Sequence, residues 1–96
     1  MELTVNITSS ARTDIRFFKA YEQRIIATGI RTFLTRDAFI ETDRRKLLES
    51  NSLASWELRI DNYRVFYDVD DDTVHIIAVG HKHHNDLYVR GKKVQL

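Results

Sequence analysis

Apolar and polar positions along the chain fall into two rhythms. Leu3, Val5 and Ile7 alternate with Glu2, Thr4 and Asn6, the period of a half-buried strand. From Ala11 the period lengthens: Ile15, Phe18, Tyr21 or Glu22, Ile25, Ile26, Ile30, Phe33 and Leu34 recur at helical steps, with Thr8, Ser9 and Ser10 offering a cap. A domain this small favours two helices with a break near Lys19 to Glu22 over one rod. Thr35 to Ser50 has no clear period. Thr42 and Asp43 suggest the cap of a short turn from Asp43 to Leu48, anchored by Leu47 and Leu48.

Period two returns at Trp56. Trp56, Leu58 and Ile60 oppose Glu57 and Arg59, and Tyr63, Val65 and Tyr67 oppose Arg64 and Phe66, with Asp61-Asn62 between the runs. This predicts a hairpin with a two-residue turn, pairing Ile60 with Tyr63 and Arg59 with Arg64. Directly opposed like charges destabilise a strand pair, so two facing arginines ask for an anion between them. A solvated hairpin face part-neutralised by Glu57 and Asp61 accounts for the same residues. A second hairpin follows, turning in Asp70-Asp71-Asp72 and entering a strand from Thr73 to Gly80. If the loop has three residues, Arg64 pairs with Ala78 and Lys82 joins the arginine face. If Asp71-Asp72 form a two-residue loop, His81 and His83 join it instead. Tyr88 lies in a possible short last strand, with a turn at Gly91.

The order of elements predicts an α+β domain spanning residues 1–96: an N-terminal strand, a helical hairpin, then an antiparallel meander. The helices cover one face, meeting Trp56, Leu58, Ile60, Tyr63, Val65 and Tyr67, and the other face is open. Composition adds exclusions. There is no cysteine, so disulfides, thiolate metal sites and cysteine nucleophiles are absent. The start M-E-L-T-V lacks the features of a signal peptide and no apolar run reaches membrane-span length, so a cytoplasmic location without membrane association is expected. The net charge of +1 gives no global attraction to nucleic acid, but Lys82, Arg90, Lys92, Lys93 and all four histidines gather after the aspartate turn. Arg44, Arg45 and Lys46 form a smaller basic run.

No glycine-rich phosphate loop, nucleophile elbow or EF-hand pattern occurs. One strand end brings only two of His81, His83 and His84 to the same side, so neither metal nor cofactor is expected. Metal-free RNA cleavage needs a base for the 2'-hydroxyl, cations for the scissile phosphate and an acid for the leaving oxygen. Arg59, Arg64 and Lys82 suit the clamp, His81, His83 or His84 suit proton transfer and RNA contact, and Tyr88 suits base stacking or acid work.

The run W-E-L-R-I-D-N-Y-R-V-F-Y-D-V, then V-H-I-I-A-V-G-H-K and L-Y, resembles the C-terminal half of the RelE/ParE toxin superfamily of bacterial toxin-antitoxin systems. The resemblance is close from Leu47 to about Tyr88, and the preceding strand and helices fit the family's order. It implies a microbial-RNase-like fold, a small neutralising antitoxin partner, and inhibition of translation by cutting mRNA on the ribosome. Arg64 matches the phosphate-binding arginine of RelE-type ribonucleases and Arg59 falls where those enzymes carry a catalytic basic residue. Lys82 matches a further arginine position by charge, and Tyr88 aligns with the base-stacking tyrosine. Glu57 stands where RelE carries a basic residue; related toxins use a glutamate and a histidine, which implies a base role for Glu57 or His81. The ParE branch of the same superfamily inhibits DNA gyrase without nuclease residues, giving a second reading, and an inactive antitoxin-binding domain gives a third.

Overall fold

The structure is a computed structural model that describes residues 2–96. Its elements are β1 (Thr4–Ile7), α1 (Ser9–Arg16), α2 (Ala20–Leu34), β2 (Arg45–Leu47), β3 (Trp56–Ile60), β4 (Tyr63–Asp70), β5 (Thr73–His83), β6 (Asp86–Val89) and β7 (Lys92–Val94). Strands β2 to β7 form an antiparallel meander in chain order, while β1 pairs in parallel with β5. One edge of β5 is occupied by β4 along its length; the other is shared, with β1 on Thr73–Ile76 and β6 on His81–His83. The α+β order read from the pattern is therefore present, with a parallel N-terminal strand added to the meander.

Thr8 caps α1, its hydroxyl accepting from the Ala11 N–H at 3.2 Å and donating to the Ile76 carbonyl at 2.7 Å. The helices separate at Phe17–Lys19, slightly before the expected break. There the Phe17 and Phe18 N–H groups close the last turn of α1, and the Glu22 carboxylate accepts from the Lys19 N–H at 3.1 Å to start α2. Gly29 lets α2 pack closely where it crosses β3, since a Cβ there would run into the Ile60 side chain. Leu58, Ile60, Val65 and Tyr67 pack against Ile26, Ile30 and Leu34, with Trp56 and Tyr63 at the margin, as their alternation predicts.

Three expectations change. The stretch after Thr42 is not a helical turn: Thr42 does accept from the Arg44 and Arg45 N–H groups, but the chain continues into β2 and Leu47 is exposed. Arg45 draws it into extension by donating to the carbonyls of Phe33 and Ile40, both at 2.9 Å, which ties β2 to the end of α2. Gly80 does not end its strand, which runs to His83; it lets β6 approach, because a Cβ there would run into the Tyr88 carbonyl. Nor is the face away from the helices wholly open. Phe66, Ala78, Leu87 and Ala54 are buried there, with the half-buried Leu48, Leu53 and Val94 packed against them, forming a second small core under the 48–55 segment. Asn51 folds that segment by accepting from the Leu53 and Ala54 N–H groups, at 2.7 and 3.1 Å. Among the described residues, no helix is long and apolar enough to cross a membrane.

Candidate functional site

The first hairpin has the predicted register. Ile60 pairs with Tyr63 and Arg59 with Arg64 across a turn whose first residue, Asp61, takes φ 51°. The second hairpin matches neither proposed register alone. Asp70 pairs with Thr73 across a two-residue Asp71-Asp72 loop, which by itself would turn His81 and His83 toward the arginines. A bulge intervenes: Tyr67 pairs with Ile76 but Phe66 with Ala78, leaving Ile77 as an extra residue on β5. The bulge inverts the alternation beyond it. Arg64 pairs with Gly80, Tyr63 pairs with His81, and Lys82 falls on the arginine face.

The candidate residues thus divide between two faces. Glu57, Arg59, Arg64 and Lys82 lie on the side away from the helices. His81 lies on the helix side, and Tyr88, its partner across β5 and β6, stacks on it at 5.6 Å with ring planes 20° apart. His83 shares the parity of His81, and His84 occupies the β5–β6 turn at φ 57°. The rings of His83 and His84 approach to 4.4 Å, and among the described residues no group of three potential metal ligands converges.

On the arginine face the charges are partly matched from within. Glu57, only 5% exposed, accepts from Arg59 Nε at 2.8 Å. Arg64 Nη1 donates to the carbonyls of Asp61 and Tyr63 at 2.8 and 2.9 Å, whereas its Nε is buried without a hydrogen-bond partner. Burial pulls the Arg64 pKa below its ordinary value; the Glu57 carboxylate opposes that shift and the Arg59 charge reinforces it. A guanidinium so placed gains from an anion more than a solvated one does, because its hydration has already been lost. Glu57 and Lys82 also line a cavity of about 260 Å³ floored by Leu87 and walled by Asn85, Lys93 and Gln95.

A second cavity, of about 530 Å³, opens on the helix side at the tip of the first hairpin and is lined by Phe17, Phe18, Glu22, Tyr63 and His81. Tyr63 donates its O–H to Glu22 Oε2 at 2.8 Å. Burial, then that bond, push the Tyr63 phenol up to about 12, while the bond from Tyr63, then the Lys19 N–H, lower the Glu22 carboxyl.

Asp14 was not among the residues singled out in the sequence, and Arg90 figured there only as one charge of the basic C-terminal cluster. The fully buried Asp14 accepts from the Val79 N–H at 3.0 Å, at the gap on β5 between β1 and β6, and pairs with Arg90 Nε at 3.0 Å. Its spacing from Ala11 and Phe18 places it on the apolar face of α1, a readable signal that a carboxylate would be buried.

Residues 5–86 match the family model described as the ParE toxin of the type II toxin-antitoxin system, parDE. No curated protein sequence matches the chain. Among solved structures, the toxin-antitoxin complex RelBE2 of Mycobacterium tuberculosis contains a chain that is 25% identical, with a TM-score of 0.74 over 85% of this chain and 93% of that one. The archaeal RelE-RelB complex of Pyrococcus horikoshii gives 18% identity and a TM-score of 0.67, covering 88% and 99%. The YoeB dimer of Staphylococcus aureus gives 22% and 0.62, covering 88% and 99%. The last two establish likeness of fold.

Proposed function

The chain belongs to the ParE toxin family of type II toxin-antitoxin systems, and from that premise we propose that this single-domain toxin is a metal-independent endoribonuclease that cuts mRNA on translating ribosomes in the cytoplasm. The observation that carries this reading is the facing pair Arg59 and Arg64, with a buried, unpartnered Nε on Arg64 and Lys82 on the same face. Such an arrangement suits a phosphodiester. Arg64 and Arg59 hold the scissile phosphate and Lys82 faces the charge that grows on its oxygens. Glu57, the carboxylate paired with Arg59 on this face, takes the base role: it removes the 2'-hydroxyl proton as that oxygen bonds to phosphorus, and the 5'-oxygen leaves by taking a proton from water. His81 and Tyr88 face elsewhere, so they act on RNA beyond the scissile bond, as do His83 and His84. A cognate antitoxin is the proposed protein partner, in keeping with the complexes in which RelBE2 and RelE-RelB were solved.

A second reading is favoured by the family model itself. A ParE toxin is expected to bind DNA gyrase, in which case the arginine face is a contact surface and not a catalytic one. One paired experiment separates the two. The protein is incubated with mRNA, with and without translating ribosomes, and in parallel with gyrase and relaxed plasmid. The ribonuclease reading predicts ribosome-dependent cutting and normal supercoiling; intact mRNA with blocked supercoiling refutes it.

A further inference from the structure

The cavity on the helix side of the hairpin tip has the chemistry of a nucleobase site. Phe17, 53% exposed, stands at its mouth against the Gly91 turn, and the Phe18 ring meets Phe17, Tyr63 and His81 edge-to-face at 5.8, 5.6 and 6.0 Å. Set among these rings is the Glu22 carboxylate, with Asp61 also lining the cavity, and each Glu22 oxygen is held by a single donor: Oε1 by the Lys19 N–H and Oε2 by the Tyr63 hydroxyl. Each oxygen retains acceptor capacity toward the cavity. The lowered pKa of Glu22 keeps that wall acceptor-only.

The geometry points to a site for an unpaired guanine base, stacked against Phe17 and read by Glu22. Guanine presents two adjacent donors on its Watson–Crick edge, N1–H and the exocyclic amine, which match two carboxylate oxygens. Adenine and cytosine set one donor beside an acceptor, and uracil flanks its single N–H with two carbonyls, so each sets at least one acceptor against the carboxylate. The aromatic walls suit a base that has left its stack, the form in which single-stranded RNA is read. Lys82 borders both this cavity and the one beside Glu57, its side chain belonging to the arginine face, so the two cavities adjoin at this residue. The inference rests on the ribonuclease reading only for the identity of the long ligand; the site itself binds a mononucleotide.

The test titrates the four nucleoside 5'-monophosphates into isotope-labelled wild type, Glu22→Gln and Phe17→Ala, following amide and aromatic resonances. Both variants change groups at the cavity rim, and circular dichroism confirms that each is folded. The expected result is a saturable shift of Phe18, Tyr63 and His81 with guanosine monophosphate, tighter than with the other three nucleotides and weakened at least fivefold in both variants. No saturable shift at these residues, equal affinity for all four nucleotides, or a loss below fivefold in Glu22→Gln overturns the assignment. A protein that binds guanosine monophosphate here yet cuts no mRNA refutes the ribonuclease reading and leaves this site standing. Cutting without base preference, unchanged in Glu22→Gln, does the reverse.

Discussion

Asp14 and Arg90 are joined by an ion pair of 3.0 Å that bridges α1 to the β6–β7 turn across the interval on one edge of β5 that neither β1 nor β6 covers. The carboxylate also serves the Val79 N–H, so one side chain closes a gap in the sheet and pins the turn on which Phe17 rests. Asp14→Ala orphans a buried N–H and releases a guanidinium, and is expected to cost about 2–4 kcal/mol in denaturant unfolding. Asp14→Asn, which keeps an acceptor, costs little. Burial raises the Asp14 pKa, ahead of the opposing Val79 bond and Arg90 charge. A raised acid binds its proton more tightly folded than unfolded, so its contribution is full below the ordinary value of 3.8 and is lost as pH rises through the folded value. Wild type should therefore lose stability relative to Asp14→Asn as pH rises across that window; parallel curves would contradict this.

Tyr63 is pushed up to about 12 by burial and by its bond to Glu22. An absorbance titration should show Tyr63, and then the more deeply buried Tyr67, ionising after an exposed tyrosine, and Tyr63→Phe should remove the earlier of these two late steps. By the same linkage the group's contribution to stability is full below pH 10.0 and lost between there and about 12.

Gly29→Ala sets helix propensity against packing. Alanine gains about 1 kcal/mol over glycine within a helix, but its Cβ would run into Ile60 Cδ1 in a packed core, where overpacking costs about 1–3 kcal/mol. Thermal unfolding should show net destabilisation. Adding Ile60→Val, which deletes the nearest atom, should cost less in the Gly29→Ala background than in wild type.

Arg59 differs from Arg64 in having an internal partner. Arg59→Ala strips a hydrogen bond from the buried Glu57 and should lower stability by about 1 kcal/mol, a value reduced because Arg59 itself is half exposed. Arg59→Lys should recover part of that loss in the same unfolding assay.

The legible parts of this chain are those where a local rule sets geometry. The Asp61-Asn62 turn determines register within two residues, so Arg59 opposite Arg64 was readable at once. The bulge at Ile77 was not, because an extra apolar residue in an apolar strand leaves no mark on the pattern, yet it decides that Lys82 and not His81 joins the arginines. β2 has three residues and an exposed leucine, too little for any period to register. The 48–55 segment covers the second core through the side-chain bonds of Asn51, a tertiary outcome with no sequence period. Asp14 was legible by its helical spacing, whereas its partner Arg90 lies 76 positions away and emerges only from the fold.

The central claim is that Arg64 holds the scissile phosphate of mRNA, and its most direct measure is the cleavage rate of a translated message by Arg64→Ala, compared with wild type at matched folded fraction. Loss of a preorganised donor to a charged transition state predicts a fall of about 10²–10³-fold with the fold intact. A variant that is folded and cuts within threefold of wild type, an interval of about 0.7 kcal/mol, would contradict the account.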